Sequence, residues 1–196
     1  MTRFFPVLAC LAALGAVAPC AQADDAGWSV ATLMQRFRAV KSSHAHFVER
    51  RYLGMLTEPL KSSGTLAYQA PDKFEKVTLS PRPERLVLDG DRLTVDQGPQ
   101  GQRREFALSQ HPEIAAMVES IRGTLAGDPA GLERFYRIGL SGTPDAWVLQ
   151  LEPTDPTVGK LVSSIRIAGS GADIQTIDTR ERDGDRTEMI ILDDPQ

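Results

Sequence analysis

Between Trp28 and Val40 the apolar residues Val30, Leu33, Met34, Phe37 and Val40 recur three and four positions apart, the spacing of one face of an amphipathic helix. From His44 the period changes to two. Apolar and polar positions alternate through His44–Leu53, Leu60–Tyr68, Lys73–Leu79 and Glu84–Val95, each the pattern of strands with one buried face. The last stretch is split by Asp89-Gly90, whose tolerance of positive φ suits a tight hairpin between Leu86/Leu88 and Leu93/Val95. A turn over Gly98–Gly101 leads into a further strand at Arg103–Ser109.

The alternation then stops. Ile114, Met117, Val118, Ile121 and Leu125 return to helical spacing behind Pro112, a residue suited to a first helical position. Gly127-Asp128-Pro129 ends this insert and opens a second short helix through Leu132 and Phe135. Strands resume at Tyr136–Ser141, Ala146–Pro153, Leu161–Ala168, Asp173–Glu181 and Arg186–Leu192. Trp147, Leu149 and Leu151 are spaced by two, as are Leu161, Ile165 and Ile167 if Ser163 is allowed in their row. Roughly ten short strands with hairpin turns predict one antiparallel, strongly curved sheet or barrel. Its concave apolar face is what the two amphipathic helices are there to cover. Periodicity alone leaves open whether the interior is filled or hollow.

The first 23 residues stand apart from this pattern. Arg3 precedes a short apolar run that ends in Ala21-Gln22-Ala23, the small-x-small mark of a secretory signal cleaved after Ala23. The mature chain, residues 24–196, then forms a single domain. Both cysteines, Cys10 and Cys20, leave with the signal, so neither a disulfide nor a thiolate site is expected. Lipidation at Cys20 is the alternative, with Pro19 standing where a small residue is wanted. The net charge is −4, and −5 without Arg3, with the basic residues scattered; this argues against nucleic acid as a partner.

Reactive constellations are scarce. Gly139-Leu140-Ser141-Gly142 lacks the final glycine of a nucleophile elbow and reads as a strand end. His44 and His46 share one face of a strand without a third metal ligand nearby in sequence. Asp89-Gly90-Asp91 and Asp183-Gly184-Asp185 lack the alternating oxygen ligands of a calcium loop and read as turns. Arg50-Arg51 and Arg103-Arg104 put one arginine on each face of a strand. The expectation is a protein that is not an enzyme, with no metal and no cofactor.

Several short motifs occur in a telling order. Val40-Lys41-Ser42-Ser43-His44-Ala45-His46-Phe47 follows the first helix. Gly64-Thr65-Leu66-Ala67-Tyr68 comes next, then Pro71-Asp72-Lys73-Phe74 and the hairpin Asp89-Gly90-Asp91-Arg92-Leu93. Over most of the mature chain this resembles the periplasmic outer-membrane lipoprotein carrier family, LolA and its relatives. The resemblance implies an incomplete antiparallel β-barrel of about 10–11 strands, closed by the N-terminal helix and the central helical insert. It implies a hollow interior that shields acyl chains of lipoproteins or of another lipid between the inner and outer membranes of a Gram-negative cell. An inner-membrane exporter, ABC-type or other, would load the carrier, and an outer-membrane acceptor would unload it. The carrier itself is expected to be a periplasmic monomer.

On that resemblance the lipid-binding wall is expected to include Phe37, Phe47, Leu66, Tyr68, Phe74 and Leu86. Leu88, Leu93, Met117, Ile121 and Trp147 complete the set. Family members carry an arginine before the proline of the Pro71 motif that latches the lid, and this chain has Ala70 there. A lid held by apolar packing alone is therefore expected. The chain also ends at Ile190-Ile191-Leu192-Asp193-Asp194-Pro195-Gln196 without the family's proline-rich final strand. Two other readings stay open: a LolB-like acceptor or lipid- or lipoprotein-sensing domain on the same barrel, and a small hydrolase. If three long chains were fully sequestered, on the order of 30 kcal/mol of methylene burial would exceed the ceiling for reversible binding, so direct mouth-to-mouth transfer is expected.

Overall fold

The computed structural model describes residues 27–98 and 101–193; the proposed signal segment lies outside them. Helix α1 (Val30–Ala39) starts where the Ser29 side chain accepts the Thr32 amide, an N-cap that satisfies one of the first-turn donors. Strands β1 (Ser42–Tyr52), β2 (Leu60–Gln69), β3 (Lys73–Ser80), β4 (Glu84–Asp89), β5 (Arg92–Asp96) and β6 (Arg103–Ala107) follow. A short 3-10 turn leads to α2 (Pro112–Leu125), with its proline in the first turn as expected, and α3 (Pro129–Glu133), capped by the Asp128 carboxylate. Strands β7 (Tyr136–Thr143), β8 (Ala146–Pro153), β9 (Val162–Ser170), β10 (Asp173–Glu181) and β11 (Arg186–Asp193) complete the chain.

The eleven strands form one antiparallel sheet in the order β6-β5-β4-β3-β2-β1-β11-β10-β9-β8-β7. Two sequential meanders are thus joined by one long-range pairing, β1 against β11, with Phe47 opposite Ile191 and Glu49 opposite Met189. The sheet is open, and its two edges, β6 and β7, are the strands that flank the helical insert in sequence. The insert therefore runs from one edge of the sheet to the other. The architecture is a single open antiparallel sheet, the incomplete barrel that the resemblance implies.

Alternation sends the apolar residues to the inner face and most charges outward, Glu49 and Lys76 being inward exceptions. Outside, Arg186 makes a forked contact with Asp178 and also reaches Glu188, while Arg137 pairs with Glu152. Arg85 grips Glu75 in the same way, and this bond is the main reason the Glu75 carboxyl lies below its usual range. Such exposed pairs contribute little stability individually. One expected position is corrected: Leu161 precedes β9 and is 43% exposed, and the neighbouring Val162 is buried instead. A register shift between Arg180 and Glu181 moves the inward row by one residue at this end of the sheet.

Candidate functional site

The inner face is covered unevenly. Over β7–β9, α1 lays Leu33, Met34 and Phe37 onto Trp147, Leu149, Leu151, Ile165 and Ile167, all buried. Over β3–β6, α2 rests Ile114, Ala115 and Val118 on Leu88, Leu93 and their neighbours. Between these two clusters lies a cavity of about 480 Å³. Its walls are Leu66, Tyr68, Phe74, Leu86, Leu88 and Leu93 on one side and Ile177, Met189 and Ile191 on the other. Met117 and Ile121 of α2 line it while remaining 43% and 38% exposed, so water reaches the cavity along this helix. Ser120 and Thr124 also line it, but their hydroxyls donate to the Met117 and Ser120 carbonyls of their own helix, at 2.7 and 2.6 Å. The lining is therefore overwhelmingly apolar.

Nine of the eleven residues expected on the wall are there: Phe37, Leu66, Tyr68, Phe74, Leu86, Leu88, Leu93, Met117 and Ile121. Phe47 and Trp147 are not, although both point to the inner face. Trp147 faces Gly169 across the β8–β9 pair and Phe47 faces Gly64 across β1–β2. A Cβ on Gly169 would come within 2.6 Å of the Trp147 ring, and one on Gly64 within 3.0 Å of the Phe47 ring. Each ring thus lies over a glycine, close to the sheet, and something else covers it. Phe37 covers Trp147 edge-on, with centroids 5.6 Å apart. The ammonium of Lys76 covers Phe47, at 4.8 Å from the ring centroid. Lys76 and its partner Glu49, not the Phe47 ring, reach the cavity.

Ala70 does not line the cavity. Its amide donates to the Lys41 carbonyl at 2.9 Å, and the Ala70–Pro71 peptide is cis. Tyr68 donates across the same corner to the Pro71 carbonyl at 3.4 Å. The expectation of a lid held by apolar packing alone is corrected, because α2 has two polar ties that the sequence pattern does not reveal. Arg38, in the last turn of α1, donates to the Gly127 carbonyl at 2.7 Å, just beyond the end of α2. Tyr136 donates to the Ala116 carbonyl at 3.1 Å, and burial pushes its phenol up to about 12, so it stays a donor at any physiological pH. Gly127 has φ +64, and a Cβ there would fall 2.1 Å from the Met34 carbonyl, so the two helices meet backbone to backbone.

The features read as turns have structural partners. Glu181, Asp183 and Asp185 bring carboxylates within 4.8 Å of one another. Asp185 accepts the Gly54 amide, Asp183 accepts the Asp185 amide, and Glu181 accepts from Arg51. By strand alternation His44 and His46 fall on the outer face, in a shallow depression with Thr65, Glu75 and Val77.

An eleven-stranded open sheet, curved around an apolar cavity and roofed by a helix that bridges its edges, defines a ligand-enclosing rather than a surface-binding class of protein. The chain belongs to the LolA-like outer membrane lipoprotein carrier family, whose model matches residues 18–193. Similar solved structures include a LolA superfamily protein from Nitrosomonas europaea, with 11% identity and a TM-score of 0.45 over 86% of this chain and 95% of that one. A domain from Vibrio parahaemolyticus described as an outer membrane lipoprotein-sorting protein aligns at 11% identity and TM-score 0.47, over 84% of this chain and 89% of its own. A chain of the Pseudomonas aeruginosa MucA/MucB complex aligns at 16% identity and TM-score 0.44, over 85% of this chain but only 58% of that one. A search of curated proteins finds no match.

Proposed function

We propose that this protein is a non-catalytic periplasmic carrier that shields an acyl chain, of a lipoprotein or another lipid, in transit from the inner to the outer membrane. An inner-membrane exporter loads it and an outer-membrane acceptor unloads it. The observation that carries this reading is the apolar cavity of about 480 Å³ under α2. Its size falls in the ~300–1,000 Å³ range of small-molecule sites, and family membership agrees with it.

Energetics bound the mechanism for a cargo of one chain of about sixteen carbons. At about 0.8 kcal/mol per methylene the gross gain is near 13 kcal/mol. Association itself costs about 4–15 kcal/mol, so the net complex is reversible. Direct transfer between mouths is then a matter of speed for one chain and a necessity only if several chains are fully sequestered together.

Native mass spectrometry of the protein purified from periplasm is expected to show one bound lipid per chain. Ala45, on the wall, offers the control. Ala45→Leu narrows the cavity, so it should retain the fold but lose most of the bound lipid. Lipid-free wild type that also fails to take up a long-chain fluorescent fatty-acyl probe would overturn the reading.

A further inference from the structure

We infer that the cavity reads the head of its ligand as well as its chain: Lys76 seats an anionic oxygen head, carboxylate or phosphate, on an acyl-chain amphiphile. This rests on the acyl-binding reading above and adds to it the chemical class of the cargo.

Lys76, on β3, sends its ammonium past Gly64 to Glu49 of β1, bonding Oε2 at 2.6 Å. At Gly64 a Cβ would lie 1.8 Å from the Val77 carbonyl and 3.0 Å from the Phe47 ring, so the ring that Lys76 covers sits close against the sheet. Glu49 also accepts the Ser62 hydroxyl at 3.2 Å, through its other oxygen. The two side chains are 23% and 18% exposed, and both line the cavity. Asp173, the other Asp or Glu of the lining, is exposed at the start of β10, outside this cluster.

A charged pair on an apolar wall has a desolvation cost that hydrophobic residues of the same size would avoid. Its donor and acceptor balance shows what it can still do. Each Glu49 oxygen already has one protein donor and its charge is offset by Lys76, while the ammonium has three protons, one on Glu49 and one face on Phe47. The remaining proton suits an oxygen acceptor on the ligand, and an anionic one forms the stronger, charge-assisted bond.

The strand register orients such a ligand. The pair lies toward the β1–β2 hairpin, beside Thr179 and Thr187, which are cross-strand partners and also line the cavity. Phe74, Leu88 and Leu93, with Ile114 and Val118 above them, hold the other end. The head then rests on Lys76 and the chain runs beneath α2.

The test uses the full mature chain and four sixteen-carbon probes below their micelle concentrations: palmitate, hexadecyl phosphate, hexadecanol and hexadecylamine. Wild type should bind the two anions on the order of tenfold more tightly than the alcohol, the size expected of one charge-assisted hydrogen bond, and the amine no better than the alcohol. Glu49→Gln, which removes the competing negative charge, should tighten the anions further, an effect a merely structural pair would not produce. Glu49→Gln/Lys76→Met, which leaves no buried charge unpaired, should bind all four alike. Equal binding of the four by wild type, or preference for the amine, would overturn the assignment to Lys76 while leaving the acyl carrier intact. Failure to bind any of the four would overturn both.

Discussion

Trp147 and Phe47 meet the same local geometry in opposite halves of the sheet and come to lie under different covers. Each is a large ring over a cross-strand glycine, Gly169 for the first and Gly64 for the second. Over Trp147 the chain places Phe37 of α1, and the surroundings fill until Leu149 and Leu151 reach 0% exposure. Over Phe47 it places a lysine, and the wall beyond borders the cavity, with Leu66, Phe74 and Leu86 only half-buried. One half of the sheet is a conventional core that carries stability. The other trades packing for space, and the difference lies in what descends onto the sheet rather than in the strands.

The widest separation between the halves should appear in large-to-small substitutions. Leu151→Ala, beneath α1, should cost about 2–5 kcal/mol, the range for a fully packed aliphatic side chain. Leu86→Ala, whose side chain borders the cavity, already lacks neighbours on one side and should cost about 1 kcal/mol. Urea denaturation of both variants measures the gap. Equal costs would mean that the two halves are packed alike and that the void is not part of the folded state in solution.

The glycines provide a smaller and more selective test. A Cβ on Gly169 would lie 2.0 Å from the Asp173 carbonyl, and one on Gly64 would lie 1.8 Å from that of Val77. Both alanine variants force backbone to shift and should lose about 1–3 kcal/mol, as overpacked sites do. Only Gly64→Ala should also weaken acyl-probe binding, because it displaces the Phe47 ring on which the cavity-lining Lys76 rests. Weakening of comparable size in Gly169→Ala would show that the filled half is coupled to the cavity.

These pairs also show where the sequence was legible and where it was not. Period-two alternation placed Phe47 and Trp147 on the inner face correctly, and period-three-and-four spacing placed both helices on that face. What decides whether an inward aromatic reaches the cavity is the residue across from it. That is a matter of register between strands, which no single-strand pattern contains. A glycine inside a strand is a sign of close approach, so Gly64 and Gly169 were visible clues without an address. Leu161 went astray for a related reason, since an irregular register changes which residue of a row points inward. The lid ties were beyond reach because Arg38 and Tyr136 act on backbone carbonyls, and a carbonyl has no sequence signature.

Those ties set the smallest and most discriminating expectation. The resemblance implies a latch arginine at the position of Ala70, whereas α2 is tied by Arg38 on the Gly127 carbonyl and by Tyr136 on the Ala116 carbonyl. Both bonds anchor α2 to the filled half, through α1 and β7, while Ile114, Ala115 and Val118 rest it on Leu88 and Leu93 by apolar contact alone. Arg38→Ala and Tyr136→Phe should each cost about 1 kcal/mol, the net worth of one hydrogen bond. Their larger effect should be on exchange: hydrogen–deuterium exchange in α2 should rise and acyl-probe release should quicken, while β8 and β9 stay protected. Ala70→Arg should change neither, because the lid already has its anchors. Slower probe release in Ala70→Arg, with no response to Arg38→Ala, would return the latch to the Pro71 corner and leave the filled half without a role in holding the lid.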